Sequence, residues 1–465
     1  MKKNIISAAV AATLLGASAA NAVFVNSEGH GQALIYPYYT VEGGHDTYIN
    51  LVNTTTEYKA VKVRFVEAMN SQEVLDFNLY LSPGDHWSAV IVPNGEGAAL
   101  KTPDTSCTVP LALSSKAEGD FGTTIPFRDI TFEGDSVDGL ARTREGYVEI
   151  IEMGTLQGVA DQTAAKHVSG VPGDCKVLAA NWSAGGKWLS TGANTDVGVP
   201  NGGLYGYGVL INVNEGTNAT YDAVALDDFI SQSFDPSAGA IHFEPGIEDP
   251  SLNDASPFAQ VLDSASFSVV EAEFAEGVDA VSAVLMHSTI MNDYVLEPEI
   301  NAGTDWVVTF PTKKSYVNGT TAMAPFTSTW SSAASTACET MSITYYDREE
   351  RDQTPDPLDF SPRPEQSSFA LCKEANVLTF NKSEVLTPSS RVRQNLDVEF
   401  KNGWMELGFG GRELESLDGV TFGGLPTVGF AVQKYVNGTL VGGSVLSNYA
   451  GVVVHKNRRS ITVAS

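Results

Sequence analysis

Two glutamates occupy matching places in the chain, Glu149 in EGYVEIIEMG and Glu406 in NGWMELGFGG. Paired carboxyl groups are what glycoside hydrolysis needs, one as acid and one as base or nucleophile on either side of the scissile bond. Both residues also fall in alternating runs, where a solvated strand face is the plainer reading. Nucleophile chemistry has less behind it. After residue 22 there is no G-x-S-x-G elbow, and the histidines stand singly, with no H-E-x-x-H or H-x-H spacing. His86, next to Trp87, reads as a rim histidine. The residues therefore favour a non-enzymatic protein.

Oxygen ligands for a hard cation are plentiful. Glu133, Asp135 and Asp138 in FEGDSVDG, Asp227 and Asp228, and Asp352, Asp356 and Asp359 form acidic loops of the kind that hold calcium. None has the EF-hand spacing. Calcium is the one cofactor the sequence admits, and no cofactor is required. The four cysteines, Cys107, Cys175, Cys338 and Cys372, lie two in each half. No pair has close zinc-ligand spacing, so disulfides are expected, with Cys107–Cys175 and Cys338–Cys372 favoured among three connectivities.

An aromatic cluster adds a candidate contact surface. GQALIYPYYTVEGGHDTYINLVNTT holds Tyr36, Tyr38, Tyr39 and Tyr48 around Pro37. As a strand, it places Tyr36 and Tyr38 on one face and Tyr39 on the other. Pro37 lacks a ladder donor, so an edge strand or a bulge is expected. Such tyrosines pack with the ring inward and the hydroxyl at the rim, or they offer a platform for a glycan or an added strand. A second contact candidate is the proline-rich, charged loop Asp347 to Gln366, with Asp347, Arg348, Arg351 and Asp356.

The elements that must carry these groups are strands. In AVKVRFVEA, Val61, Val63 and Phe65 alternate with Lys62 and Arg64. Leu75, Phe77, Leu79 and Leu81 do the same in the next run, as do Trp87, Ala89 and Ile91 after it. Turn formers separate the runs at short intervals, the pattern of an all-β, antiparallel architecture with few helices. The one helical candidate is GVDAVSAVLMHS, with Val281, Val284 and Leu285 on one face. Two immunoglobulin-like β-sandwich domains are expected, 23–231 and 258–465, joined by a Gly/Pro/Asp-rich linker at 232–257. Similar landmarks in both halves (Trp87 with Trp306, Tyr147 with Trp404) suggest a duplication.

Residues 1–22 read as a secretory signal peptide: Lys2 and Lys3, an apolar run, then Ala20-Asn21-Ala22. No later run reaches the roughly 18 apolar residues of a membrane helix. The chain carries 28 basic and 56 acidic residues, a net charge of −28. Removing Lys2 and Lys3 leaves 26 − 56 = −30. Such a charge repels nucleic acid and anionic membranes. The phrases GQALIYPYYTV, VKVRFVEAMNSQEVLDFNLYLSPGDHW, DWVVTFPTKK and GFAVQKYVNG resemble an exported family of uncharacterised β-rich proteins of Gram-negative bacteria. That resemblance implies export to the periplasm, cell surface or medium and brings no catalytic residue. The expectation is a non-enzymatic exported protein that binds a protein or glycan partner, or assembles with copies of itself. The alternative is a carbohydrate-active enzyme or glycan-binding protein that uses acidic and aromatic residues.

Overall fold

The structure is a computed structural model and describes residues 22–114, 122–132, 134–231, 239–263, 266–351, 369–440 and 445–463. Strand Lys59–Glu67 shows how the alternation works. Val61, Val63 and Phe65 turn inward with Leu34, Val148 and Ile150 of their own sheet. They meet Ile49, Leu51, Trp87, Ala89 and Ile91 of a facing sheet. Burying these apolar faces against each other makes a sandwich.

The first sheet has eight strands. Its main order is Phe24–Val25, Val224–Asp227, Ala33–Thr40, Glu145–Leu156, Lys59–Glu67, Glu73–Leu81, Cys107–Val109. The facing sheet has seven, and its centre is His45–Asn53 beside His86–Asn94. An immunoglobulin domain has about seven to nine strands in all. The all-β architecture holds, but the immunoglobulin-like detail does not follow from it.

In the second half a five-stranded sheet centred on Ala302–Thr309 and a four-stranded sheet centred on Asn402–Gly408 and Thr289–Val295 enclose Trp306, Tyr294, Phe380 and Met405. The expected helix forms at Gly277–Leu285 and buries Val281, Val284 and Leu285. Both disulfides form as expected, Cys107–Cys175 and Cys338–Cys372, across sequence separations of 68 and 34. The matched landmarks differ in setting: Tyr147 is fully buried, whereas Trp404 is partly exposed.

Every sheet draws its strands from one half, but the apolar clusters cross between halves. Phe430 and Val432 join the first sandwich, and Tyr221 stacks on Phe430 at a centroid distance of 4.6 Å. Ile35, Tyr147 and Ile151, on the outward face of the eight-stranded sheet, pack with Val281 and Val284.

That covering buries polar residues that the alternation had placed toward solvent. Lys62 pairs with Asp76 at 2.8 Å and donates to the carbonyls of Glu244 and Ile247 in the predicted linker. Arg64 pairs with Glu149, directly opposite it on the neighbouring strand, and with Glu73 at 3.3 Å. Glu149 is therefore a buried, ion-paired residue rather than one on a solvated face. The inward face holds one such pair as well: Lys59 and Glu152, the latter level with Val61, are fully buried and pair at 2.7 Å. Arg142 grips Glu67 through two bonds of 2.8 and 2.9 Å and adds Asp135 at 2.7 Å.

Removing one member of a buried pair strands the other charge, at a cost of about 3–5 kcal/mol. Arg64→Leu should therefore lower the unfolding free energy by roughly that amount. The triple variant Arg64→Leu/Glu73→Leu/Glu149→Leu should recover most of the loss in urea titrations, because it also removes both carboxylates that Arg64 neutralises.

Candidate functional site

Between the halves lies a polar cleft of about 270 Å³, and Glu149 lies in it. The outward face of the eight-stranded sheet supplies its floor with Arg64, Tyr147 and Glu149. Residues Glu248–Asn253 form one wall, and Pro311–Ser315, at the short helix Lys313–Val317, form the other. The floor is rigid. Tyr147 shares its hydroxyl with Ser71 at 2.7 Å and donates to the carbonyl of Pro311 at 3.0 Å. Burial raises the Glu149 carboxyl, and the cations Arg64 and Lys314 oppose that shift. At the rim, Lys314 reaches Glu248 at 3.5 Å, and Ser315 donates to Asn253 at 2.8 Å. Two carboxylates, two cations and several amides and hydroxyls thus converge on one space, which suits a ligand with many hydroxyl groups. Arg64, opposite Glu149 on the neighbouring strand, fixes the orientation of its carboxyl group.

Glu406 is elsewhere. It lies on strand Asn402–Gly408 and pairs with Arg458 at 2.6 Å, so the structure does not bring it to Glu149. Asp135 is engaged by Arg142 and by the Trp330 indole N–H at 3.1 Å. Asp138 is exposed, and Glu133 lies outside the described residues. In the proline-rich loop, Asp347 turns inward and accepts the backbone N–H groups of Glu349 and Arg351. Arg348 and Arg351 remain on the surface, the latter with its guanidinium 5.3 Å from the Phe400 ring. Asp352, Asp356 and Asp359 lie outside the described residues.

The tyrosine cluster requires a correction. Tyr36, Tyr38 and Tyr39 are fully buried and cannot serve as a contact surface. Strand Ala33–Thr40 is interior, and a bulge sets Pro37 and Tyr38 opposite Tyr147. The bulge also swings Tyr39 into the same core as Tyr36 and Tyr38, against the simple alternation. Strand Val224–Asp227 covers only Ala33–Ile35. Beyond it, Thr309 donates to the carbonyl of Pro37 at 2.7 Å, and Tyr221 donates to that of Tyr38. All three tyrosine hydroxyls have partners: the Asn50 carbonyl at 2.6 Å, Glu145 at 2.7 Å and the Thr143 carbonyl at 3.1 Å.

Sequence reasoning passed over Arg64, Glu248 and Lys314 as site residues. Arg64 alternates with apolar residues as a solvated residue would, and only the register places it across from Glu149. Glu248 and Lys314 belong to irregular or short elements, where periodicity carries no signal.

Glu145, which binds Tyr38 and also Ser389 of the second half, is pushed up to about 7 by burial, against an ordinary value of 4.5. Between those values the folded chain holds a proton that the unfolded chain releases. Its contribution to stability is thus complete below pH 4.5 and is lost as the pH rises through 7. Relative to wild type, Glu145→Gln should gain roughly 3 kcal/mol of stability as the pH is raised across that window. Unfolding titrations of both chains at several pH values measure that difference.

No family model, curated protein or solved structure matches the chain.

Proposed function

We propose that this is an exported, non-enzymatic protein that binds a protein partner, or copies of itself, through exposed β-ribbons. The observation that carries this reading is the hairpin Phe258–Asp263/Ser268–Glu273, a two-stranded sheet tied to the first half by an isolated bridge from Val23 to Ala259. Its inner face buries Val261, while the cross-strand pair Leu262 and Val269 faces outward at 63% and 45% exposure. Beside them Phe267, with a positive φ of 54°, is 90% exposed. Large apolar residues gathered in this way mark contact surfaces.

Strand Val445–Val454 adds a second such surface. It ends the five-stranded sheet, contains no charge or proline, and exposes Tyr449 and Val454. Terminal strands normally carry charges or prolines that discourage pairing with another chain. Two disulfides and the N-terminal sequence pattern support export.

A second reading, glycan binding, is favoured by the polar cleft around Glu149, Arg64, Glu248 and Lys314. The two readings separate in one experiment. Negative-stain microscopy and mass in solution are recorded for the protein from its native source, alongside the variant Leu262→Ser/Phe267→Ser. Assemblies that disappear in the folded variant support ribbon-mediated association. A monomer unaffected by the variant, and retained on immobilised glycans, would transfer the assignment to the cleft.

A further inference from the structure

A second cavity, of about 220 Å³, lies far along the chain from the polar cleft's floor and has a different character. Its walls are apolar and come from both halves: Val224 from the first sheet, Val284 and Leu285 from the end of helix Gly277–Leu285, Ile290, and Val428. Besides Asn457 and Thr427, whose hydroxyl donates to the Leu425 carbonyl at 3.0 Å, three polar groups interrupt the lining: His455, His287 and Arg459. His455 is fully engaged, since its ring nitrogens meet the Asn292 amide at 3.1 Å and the Val307 carbonyl at 3.0 Å. The other two are not.

Nδ1 of His287 is buried without a hydrogen-bond partner among the described residues. Arg459 donates through Nη1 to the carbonyl of Met286 at 3.0 Å and through Nη2 to that of Val284 at 2.7 Å. Those bonds secure the guanidinium at the carboxyl end of the helix, where the carbonyls are otherwise free. They leave the charge without a carboxylate among the described residues. Elsewhere in this acidic chain, Lys59, Lys62, Arg64, Arg142 and Arg412 each have a carboxylate as they enter the interior, while Lys313 and Lys373 end on backbone carbonyls. Burial pushes Arg459 down to about 10 and His287 down to about 3, so the cation lacks compensation and the ring is neutral at neutral pH.

We infer that this cavity binds an apolar monocarboxylate, with the carboxylate on Arg459 and His287 and the hydrocarbon against Val224, Val284, Ile290 and Val428. The carboxylate supplies the missing negative charge, and neutral His287, whose ring also meets the Thr427 backbone, donates to the same group in its Nδ1–H tautomer. The apolar walls select against small hydrophilic anions. This is a different site and a different ligand chemistry from the polar cleft, and it depends on neither the ribbon reading nor the glycan reading.

The test uses the full disulfide-bonded protein at neutral pH, with octanoate, 1-octanol, octylamine and acetate as probes in isothermal titration. Octanoate should bind saturably at one site per chain. The three other probes should bind about tenfold more weakly or worse, which is the effect of losing one charge-assisted hydrogen bond or the hydrocarbon. Arg459→Met should weaken octanoate by about tenfold or more. Because Arg459 also holds the helix end, Val224→Trp, which fills the cavity from the opposite wall, serves as the second variant and should abolish binding. Octanoate binding no tighter than octanol, or unchanged in Val224→Trp, would overturn the assignment. So would binding of acetate as tight as that of octanoate, since that would leave the apolar walls without a role.

Discussion

A charged group taken out of water is costly unless an opposite charge meets it, and that constraint governs the central sheet. Its outward face carries Lys62, Arg64 and Glu149, and the second half and the chain before it cover them. Set against well-packed apolar residues, such pairs need add little net stability. Their effect is on pairing. Arg64 faces Glu149 in only one register, and a slip by one residue would turn Arg64 into the apolar interior between the sheets. The same residues that look soluble in the sequence thus hold the strands in place.

The covering also explains why the two halves form one interior. Sheets are built within each half, but Phe430 and Val432 complete the first sandwich, and helix Gly277–Leu285 seals its outward face. Polar contacts follow the same boundary. Glu145 meets Ser389, Lys62 meets the carbonyls of Glu244 and Ile247, and Tyr147 meets that of Pro311. The polar cleft and the apolar cavity both lie on this boundary, lined by segments distant in sequence.

Much of the architecture was legible in the sequence. Alternation placed Val61, Val63 and Phe65 with Trp87, Ala89 and Ile91 in one core, and 3.6-residue spacing located the helix at Val281 and Leu285. The distribution of cysteines led to the observed disulfides. What alternation could not reveal is whether the second face of a strand is wet or covered. Lys62 and Glu149 have the same pattern in either case, and only packing by residues far along the chain decides it. The bulge at Pro37 was foreseen as one of two outcomes, but its effect on Tyr39 depends on the partner strand. The cleft was half legible, through Glu149. Nothing local marked Glu248, Lys314 or Arg459.

The bond from Thr309 to the carbonyl of Pro37 spans 272 positions and closes the side of an interior strand that no neighbouring strand reaches. A chain is synthesised from its amino end, so Pro37 is made long before Thr309. Until the later segment arrives, the first sandwich carries an open backbone carbonyl beside a row of tyrosines and a face of charges without cover. Loop closure over such a distance is slow, and exposed strand surfaces meanwhile invite pairing with other chains. The early half therefore has reason to be held in an unfolded or escorted form until the late half can close over it.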